Sequence, residues 1–273
     1  MKTLWDLRED NMININKGRC IECMTCLAAC AFGALQDVDG HPELVRPEMC
    51  IRCMHCGAVC PTEAVHFNED STIIDSDIKK LPEDFPAVLK NHIMRRRSYR
   101  NFGEEPVSRV VINEALDLAS WAPSAKNQHP VKWVVIDKKE IIDKITELVL
   151  EYVEETGVSS EIAALYEKGH NVVVGTATTL IVAYARDRAI SPETDTAIAM
   201  TTAELYLQSK GVGTCWAGYL KKMCNAIPEI RTCILGIPDG CSVYGAFMAG
   251  YPDESEKYIH VPERLKRANI KWA

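Results

Sequence analysis

No window of about eighteen consecutive apolar residues occurs in the chain, so nothing in it reads as a membrane-spanning helix. There is no low-complexity tract. The opening MKTLWDLRED is charged and has no apolar run, unlike a secretory signal peptide. Positive charge is not in excess either. The formal net charge is −7, which argues against a nucleic-acid surface or an anionic lipid surface as partner. Hydrophobic residues at 47% and charged residues at 25% are the proportions of an ordinary soluble globular protein. The 273 residues suffice for one large or two unequal domains.

Cysteine is where the chain departs from the ordinary, with 12 in all. Most of them fall in two copies of one spacing, Cys20-x2-Cys23-x2-Cys26-x3-Cys30 and Cys50-x2-Cys53-x2-Cys56-x3-Cys60, the second ending in Cys60-Pro61. The copies share more than thiols: Ile21 matches Ile51, Met24 matches Met54, and Ala34-Leu35 matches Ala64-Val65. A doubled unit of this kind predicts two half-sites related by pseudo-symmetry. Structural zinc also uses paired Cys-x2-Cys units, but it takes four thiols at a time. Disulfides belong to small secreted domains, and the charged opening gives no sign of secretion.

The spacing resembles the ligand pattern of bacterial ferredoxins with two 4Fe–4S clusters, in which the fourth cysteine of each run serves the other cluster. The resemblance implies that Cys20, Cys23, Cys26 and Cys60 hold one cluster, and Cys50, Cys53, Cys56 and Cys30 the other. One departure is visible: the first run ends Cys30-Ala31 where the family has Cys-Pro, so the stiffening that proline supplies after the ligand is missing there. Cysteines kept for clusters imply a reducing cytoplasm, and accessible low-potential clusters favour an anaerobic host.

The remaining chain changes texture. Asn68 to Thr72 is polar, and Leu81-Pro82-Glu83-Asp84-Phe85-Pro86 mixes acids with proline, so both read as surface connection. The division expected is residues 1–80, a two-cluster domain with linker, and residues 81–273. In the second part Pro86 opens a helix over Ala87–Met94. Ser108 is placed to cap another, with Val111, Ala115, Leu118 and Ala119 on one face. Val131–Ile136 and Leu180–Tyr184 read as strands, and a further strand lies within 240–250. Residues 138–155 carry Ile141, Ile145, Leu148, Val149 and Tyr152 at helical spacing; Glu193–Lys210 is a helix stopped at Gly211 and Gly213. Interleaved helices and strands predict an α+β or α/β domain, with a strand order that periodicity does not reveal.

Four segments of this part stand out: Arg95 to Phe102, Ala122 to Pro130, Gly211 to Tyr219, and Gly250-Tyr251-Pro252 followed by Arg264, Lys266 and Arg267. The first is a dense cationic patch with a hydroxyl, suited to a phosphate or equally to a solvated basic face. The second joins a turn to a side-chain amide. Taken together and in order, the Arg-Arg-Ser-x-Arg entry, the Pro-Ser-x-x-Asn-x-x-Pro loop, the Gly-x-Gly-x-x-Trp turn and the Gly-Tyr-Pro resemble the nitroreductase family of flavin enzymes, over about residues 85–273. With the cysteine runs in front, the whole chain resembles ferredoxin-fused nitroreductases.

That resemblance implies an α+β fold that dimerises by intertwining, with FMN at the subunit interface. Arg96, Arg97, Ser98 and Arg100 would grip the FMN phosphate and ribityl chain, and Arg264 and Lys266 would close on the phosphate from the C-terminal side. Asn127, with Ser124 in the same loop, would meet the isoalloxazine ring, and Trp216, Ala217 and Gly218 would lie against it. The family often has an acid where Ala217 stands, which weakens the case for a nicotinamide as reductant. Cys215, Cys224, Cys233 and Cys241 share no ligand spacing and read as small buried apolar residues. No catalytic side chain is conspicuous, as expected where the flavin supplies the chemistry. The expected activity is an oxidoreductase in which an external donor, such as ferredoxin, reduces the clusters, the clusters reduce FMN, and a small organic acceptor such as a nitroaromatic or quinone takes the electrons. The alternatives are an electron carrier or redox sensor without its own substrate, and an NAD(P)H-driven flavin reductase.

Overall fold

The computed structural model describes residues 13–67, 80–263 and 268–272. The polar segment Asn68–Thr72 and the two cations expected to close on the phosphate, Arg264 and Lys266, lie outside the described residues. The chain divides into two compact units, Met1–Pro82 with Lys126–Gln128, and Glu83–Ala125 with His129–Ala273. Among the described residues no helix is long and apolar enough to cross a membrane.

The first unit is built from short elements: β1 (Asn14–Ile15), α1 (Thr25–Ala29), β2 (Leu35–Val38), β3 (His41–Leu44), α2 (His55–Ala58) and β4 (Val65–His66). β1 pairs antiparallel with β4, which joins the two ends of the unit, and β2 pairs with β3 in a hairpin. The hairpin turns through Asp39 and Gly40, both at positive φ as a tight two-residue connection requires. The repeat seen in the sequence recurs in the backbone. Left-handed residues come in matched pairs, Glu22 with Arg52, Met24 with Met54, and Gly33 with Glu63. Most of these are not glycine, so the conformation is costly and must be held by the surroundings. Ala34 and Ala64 are each 1% exposed, and Leu35 and Val65 each 3%, so the matched dipeptides fill matched positions in a small core.

The second unit is organised around a four-stranded antiparallel sheet. Its elements are α3 (Phe85–Arg95), α4 (Arg109–Ala119), β5 (Lys132–Ile136), α5 (Lys139–Thr156), α6 (Glu161–Glu167), β6 (Thr179–Arg186), α7 (Pro192–Ser209), β7 (Gly213–Trp216), α8 (Gly218–Ala226) and β8 (Cys241–Gly250). The strand order is β5-β6-β8-β7. The two central strands are buried on both faces, so they are continuously apolar rather than alternating. Leu180 and Val182 point into one core with α5 and α8; Ile181 and Ala183 point into the other with α4 and α7. Fully burying each such Leu, Ile or Val stabilises the fold by about 1.5–3 kcal/mol.

Most expected elements form within a residue or two of their predicted bounds. Several expectations are corrected. On α4 the buried positions are Ile112, Ala115 and Ala119, while Leu118 is 39% exposed. The helix is rotated from the expected face because it packs small residues closely against α7, and Ser108 makes no side-chain capping bond. The segment from Gly213 to Trp216, expected as a turn, is an edge strand whose pairing with β8 is invisible to local pattern. Cys215, Cys224 and Cys241 are buried as expected; Cys233 is exposed, on a single π-helical turn.

Candidate functional site

In the first unit, Cys20, Cys23, Cys26 and Cys60 line one cavity, walled also by apolar side chains that include Ile15, Ile21, Met24 and Val65. The fourth thiol therefore comes from the other cysteine run. The second set shows the same exchange: Cys30 is among the charges that act on Cys50, alongside Cys53, and Cys50 and Cys53 act on Cys56. Left-handed residues flank the cysteines of both runs. Donors also reach the sulfurs directly. Ala34 N donates to Cys30 Sγ and Ala64 N to Cys60 Sγ, each at 3.2 Å, and Thr25 Oγ1 donates to Cys23 Sγ at 3.3 Å.

These contacts sort the thiols. Burial pushes Cys56 up to about 11 and raises Cys26 and Cys50 as well. Burial also acts upward on Cys30 and Cys60, but the amides of Leu35 and Ala34, and of Thr62 and Ala64, outweigh it and bring both below the usual thiol range. Buried thiols that are not easily ionised need a cation or cluster to become thiolates. Among the described residues no three His, Cys, Asp or Glu groups converge as they do on a single metal ion. Four thiols spread around an apolar-walled cavity suit a larger group that spans them.

In the second unit, helix α7 supplies polar side chains that pin other segments. Glu204, 3% exposed, is the centre of the arrangement. Its Oε1 accepts from Arg96 Nη1 and from Thr214 Oγ1, both at 3.3 Å, and its Oε2 accepts from Trp216 Nε1 at 3.4 Å. Gln208, one turn later, donates to Arg97 O and to Thr214 Oγ1 at 2.8 Å and accepts from Arg97 N at 3.2 Å. Ser98 bridges to Thr214 in parallel register, and Tyr99 N donates to Thr214 O at 3.0 Å. The cationic segment is thus tied to β7 at a single bridge. Gly213 makes room for it: a Cβ there would stand 2.8 Å from Tyr99 Cγ and 2.9 Å from Pro252 Cγ. Gly250 does the same for Phe102, whose Cβ lies 2.7 Å from where a side chain would begin.

The cations of this segment are oriented by backbone. Arg97 Nη1 donates to the carbonyls of Met94 and Arg96 at 2.8 Å, and Arg100 Nη1 to Ser98 O at 3.2 Å. Glu256 accepts from Arg100 N at 2.8 Å and from Asn101 Nδ2 at 3.0 Å. Burial pushes the Cys215 thiol up, against the opposing influence of Arg100 and the Ser98 hydroxyl beside it. Trp216 is 39% exposed and packs edge-on against Phe247. Ala217 is buried at the N-cap position of α8, where it makes no side-chain capping bond, and a side chain at Gly218 would meet nothing within 4 Å. Oriented cations, a part-exposed indole and an open backbone at Gly218 suit a ligand with an anionic end and a flat aromatic end.

The loop 122–130 is engaged differently. Ser124 Oγ accepts from His129 N at 2.9 Å within the loop, and Ala125 N donates to the buried Asp195 Oδ1 of α7 at 2.9 Å. Lys126, Asn127 and His129 all have positive φ. Asn127, which groups with the first unit, donates from Nδ2 to the carbonyls of Ile51 at 3.3 Å and Arg52 at 3.1 Å. The structure therefore gathers Arg96, Arg97, Ser98, Arg100, Trp216, Ala217 and Gly218 around β7, and holds Ser124 and Asn127 in other bonds. Glu204, Gln208, Thr214 and Asp195 were absent from the sequence reading. No local motif marks them: α7 carries Glu193, Asp195, Glu204 and Gln208, and only the fold decides that Asp195 and Glu204 are the buried ones.

The nitroreductase family profile matches residues 93–251, and the 4Fe-4S dicluster domain profile matches residues 12–61. A curated relative from Archaeoglobus fulgidus, provisionally named an NADH dehydrogenase/NAD(P)H nitroreductase, is 24% identical over 185 residues, 66% of this chain and 96% of its own. A solved nitroreductase with bound FMN from Bacteroides fragilis superposes with a TM-score of 0.58 at 22% identity, over 68% of this chain and 98% of its own. Another with bound FMN, from Desulfitobacterium hafniense, gives 0.57 at 23% identity, over 67% and 97%.

Proposed function

The chain belongs to the nitroreductase family and carries a 4Fe-4S dicluster domain ahead of the family region, and on that premise we propose an FMN-dependent oxidoreductase fed through its own clusters. Electrons enter from an external donor such as ferredoxin, pass through two 4Fe–4S clusters to FMN, and leave to a small organic acceptor such as a nitroaromatic or a quinone. When bound, the clusters supply one-electron transfer and FMN joins it to the reduction of an organic substrate.

The protein's own groups do the holding. In this reading residues 1–80 are the input domain, with Cys20, Cys23, Cys26 and Cys60 around one cluster and Cys50, Cys53, Cys56 and Cys30 around the other. Residues 81–273 bind FMN, with Arg96, Arg97, Ser98 and Arg100 on the phosphate side, joined by Arg264 and Lys266. Ser124, Asn127, Trp216, Ala217 and Gly218 serve the ring side. The observation that carries the reading is the cavity that Cys60 shares with Cys20, Cys23 and Cys26, because it is shaped by thiols from both runs. A homodimer with FMN at its interface is supported by the apolar exposure of α3, where Val88 is 54% and Ile93 48% exposed. A reducing cytoplasm suits the thiols.

The test is anaerobic turnover with reduced ferredoxin and a panel of nitro compounds, quinones and enones. Ferredoxin oxidation that depends on an acceptor supports the proposal. Reduction of the protein without turnover on any acceptor favours a carrier or sensor instead. Rapid flavin reduction by NADPH in a Cys→Ala chain without clusters would identify an NAD(P)H-driven reductase.

A further inference from the structure

We propose that Glu204 is a positioning residue of the flavin site, fixing the cationic entry segment and the indole of Trp216 in one relation; the inference rests on the FMN reading above. A buried carboxylate is costly unless every lone pair is used. The packed neighbours of Glu204 along α7, Met200, Ala203 and Leu207, are apolar and fully buried, so an apolar residue would fill the same space without that cost. Glu204 instead takes donors from two segments distant in sequence. Arg96 Nη1 comes from the entry segment, while Thr214 Oγ1 and Trp216 Nε1 come from β7.

The two oxygens divide the work. Oε1 holds the guanidinium, and the Thr214 hydroxyl locks that oxygen, because Gln208 Nε2 donates to Thr214 and leaves its proton directed at Glu204. Oε2 holds the indole N–H and so sets the rotation of the ring about its side-chain axis. Arg96 and Trp216 keep part of their surface exposed, 29% of the Arg96 side chain and 39% of Trp216, while the carboxylate between them is closed off. Two residues that the family resemblance assigns to the phosphate side and the ring side of a flavin are therefore tied to one buried carboxylate.

The test uses the full-length chain under anaerobic conditions, with FMN affinity read by quenching of flavin fluorescence and ring environment read by visible circular dichroism of the bound flavin. Glu204→Gln leaves one acceptor where two are needed. It is expected to weaken FMN binding about tenfold or more, the scale of a lost charge-assisted hydrogen bond. It should also change the flavin dichroism and leave iron content unchanged. In a Trp216→Phe background the same substitution should weaken binding through Arg96 but no longer alter the dichroism. Wild-type affinity and dichroism in Glu204→Gln overturn the inference, even if its melting temperature falls. Should that variant fail to fold, Glu204→Asp keeps the charge but cannot span both partners, and wild-type behaviour in it overturns the inference equally. If the unaltered protein binds no FMN, the flavin reading fails and takes this inference with it. Binding by the unaltered protein with no effect of either variant sinks the inference alone.

Discussion

Cys60 and Cys20 line the same cavity, although Cys60 closes the other cysteine run. The pairing makes the two halves of the first unit dependent on each other. It also yields an asymmetric expectation for any single ligand change.

Replacing Cys60 with serine should release the cluster shared with Cys20, Cys23 and Cys26 and spare the one assigned to Cys50, Cys53, Cys56 and Cys30. Iron per chain is expected to fall from about eight to about four. Iron and sulfide assays check this, and retention of the full complement would refute the crossed assignment.

Arg97→Ala should weaken FMN binding without touching the iron. Its guanidinium is oriented by the carbonyls of Met94 and Arg96, and the loss of a charge-assisted hydrogen bond is worth about 1.5–3 kcal/mol. That corresponds to a rise in Kd of roughly tenfold to a hundredfold. Titration of flavin-free protein with FMN measures it, and an unchanged Kd removes Arg97 from the phosphate site.

Gly213→Ala drives a methyl group into Tyr99 and Pro252, at 2.8 and 2.9 Å from the nearest carbons. Overpacking of this kind costs about 1–3 kcal/mol. A lower denaturation midpoint is expected, together with weaker flavin retention, because Tyr99 belongs to the entry segment. A protein of unaltered stability would mean that the segment is free to shift.

The free thiols outside the clusters should separate by reactivity. Burial pushes the Cys224 thiol up to about 12, while Cys233 is exposed. Only the thiolate alkylates, so iodoacetamide at pH 8 should label Cys233 and leave Cys224 intact until the protein is unfolded. The sign for stability follows. A raised pKa favours the folded state below the unfolded thiol value of about 8.5, and that contribution fades as pH climbs toward 12. Peptide mass spectrometry reads the labelling; modification of native Cys224 at pH 8 would contradict its burial.

The helices and strands were legible because their signals are local. The apolar spacing in α5, the continuous apolar run of β6 and the proline at the start of α3 each constrain a few neighbouring dihedrals. The face of α4 was not, because Ala115 and Ala119 carry little hydrophobic weight and are chosen by the close approach of α7. β7 looked like a turn because its glycine is explained by Tyr99 and Pro252, both far away in the chain.

Cysteine spacing and the ordered flavin motifs carried the chemistry, since ligand runs and loop residues act through short stretches of chain whose order is itself the signal. Glu204 carried no such mark. One glutamate in a helix reads as solvated surface, and its role arises from burial beside Arg96, Thr214 and Trp216. The cavity that Cys60 shares with Cys20 and the anchor at Glu204 are both contacts between distant segments. Such contacts come from packing the whole domain, where the cost of burying a thiol or a charge is offset only by partners that the fold brings near.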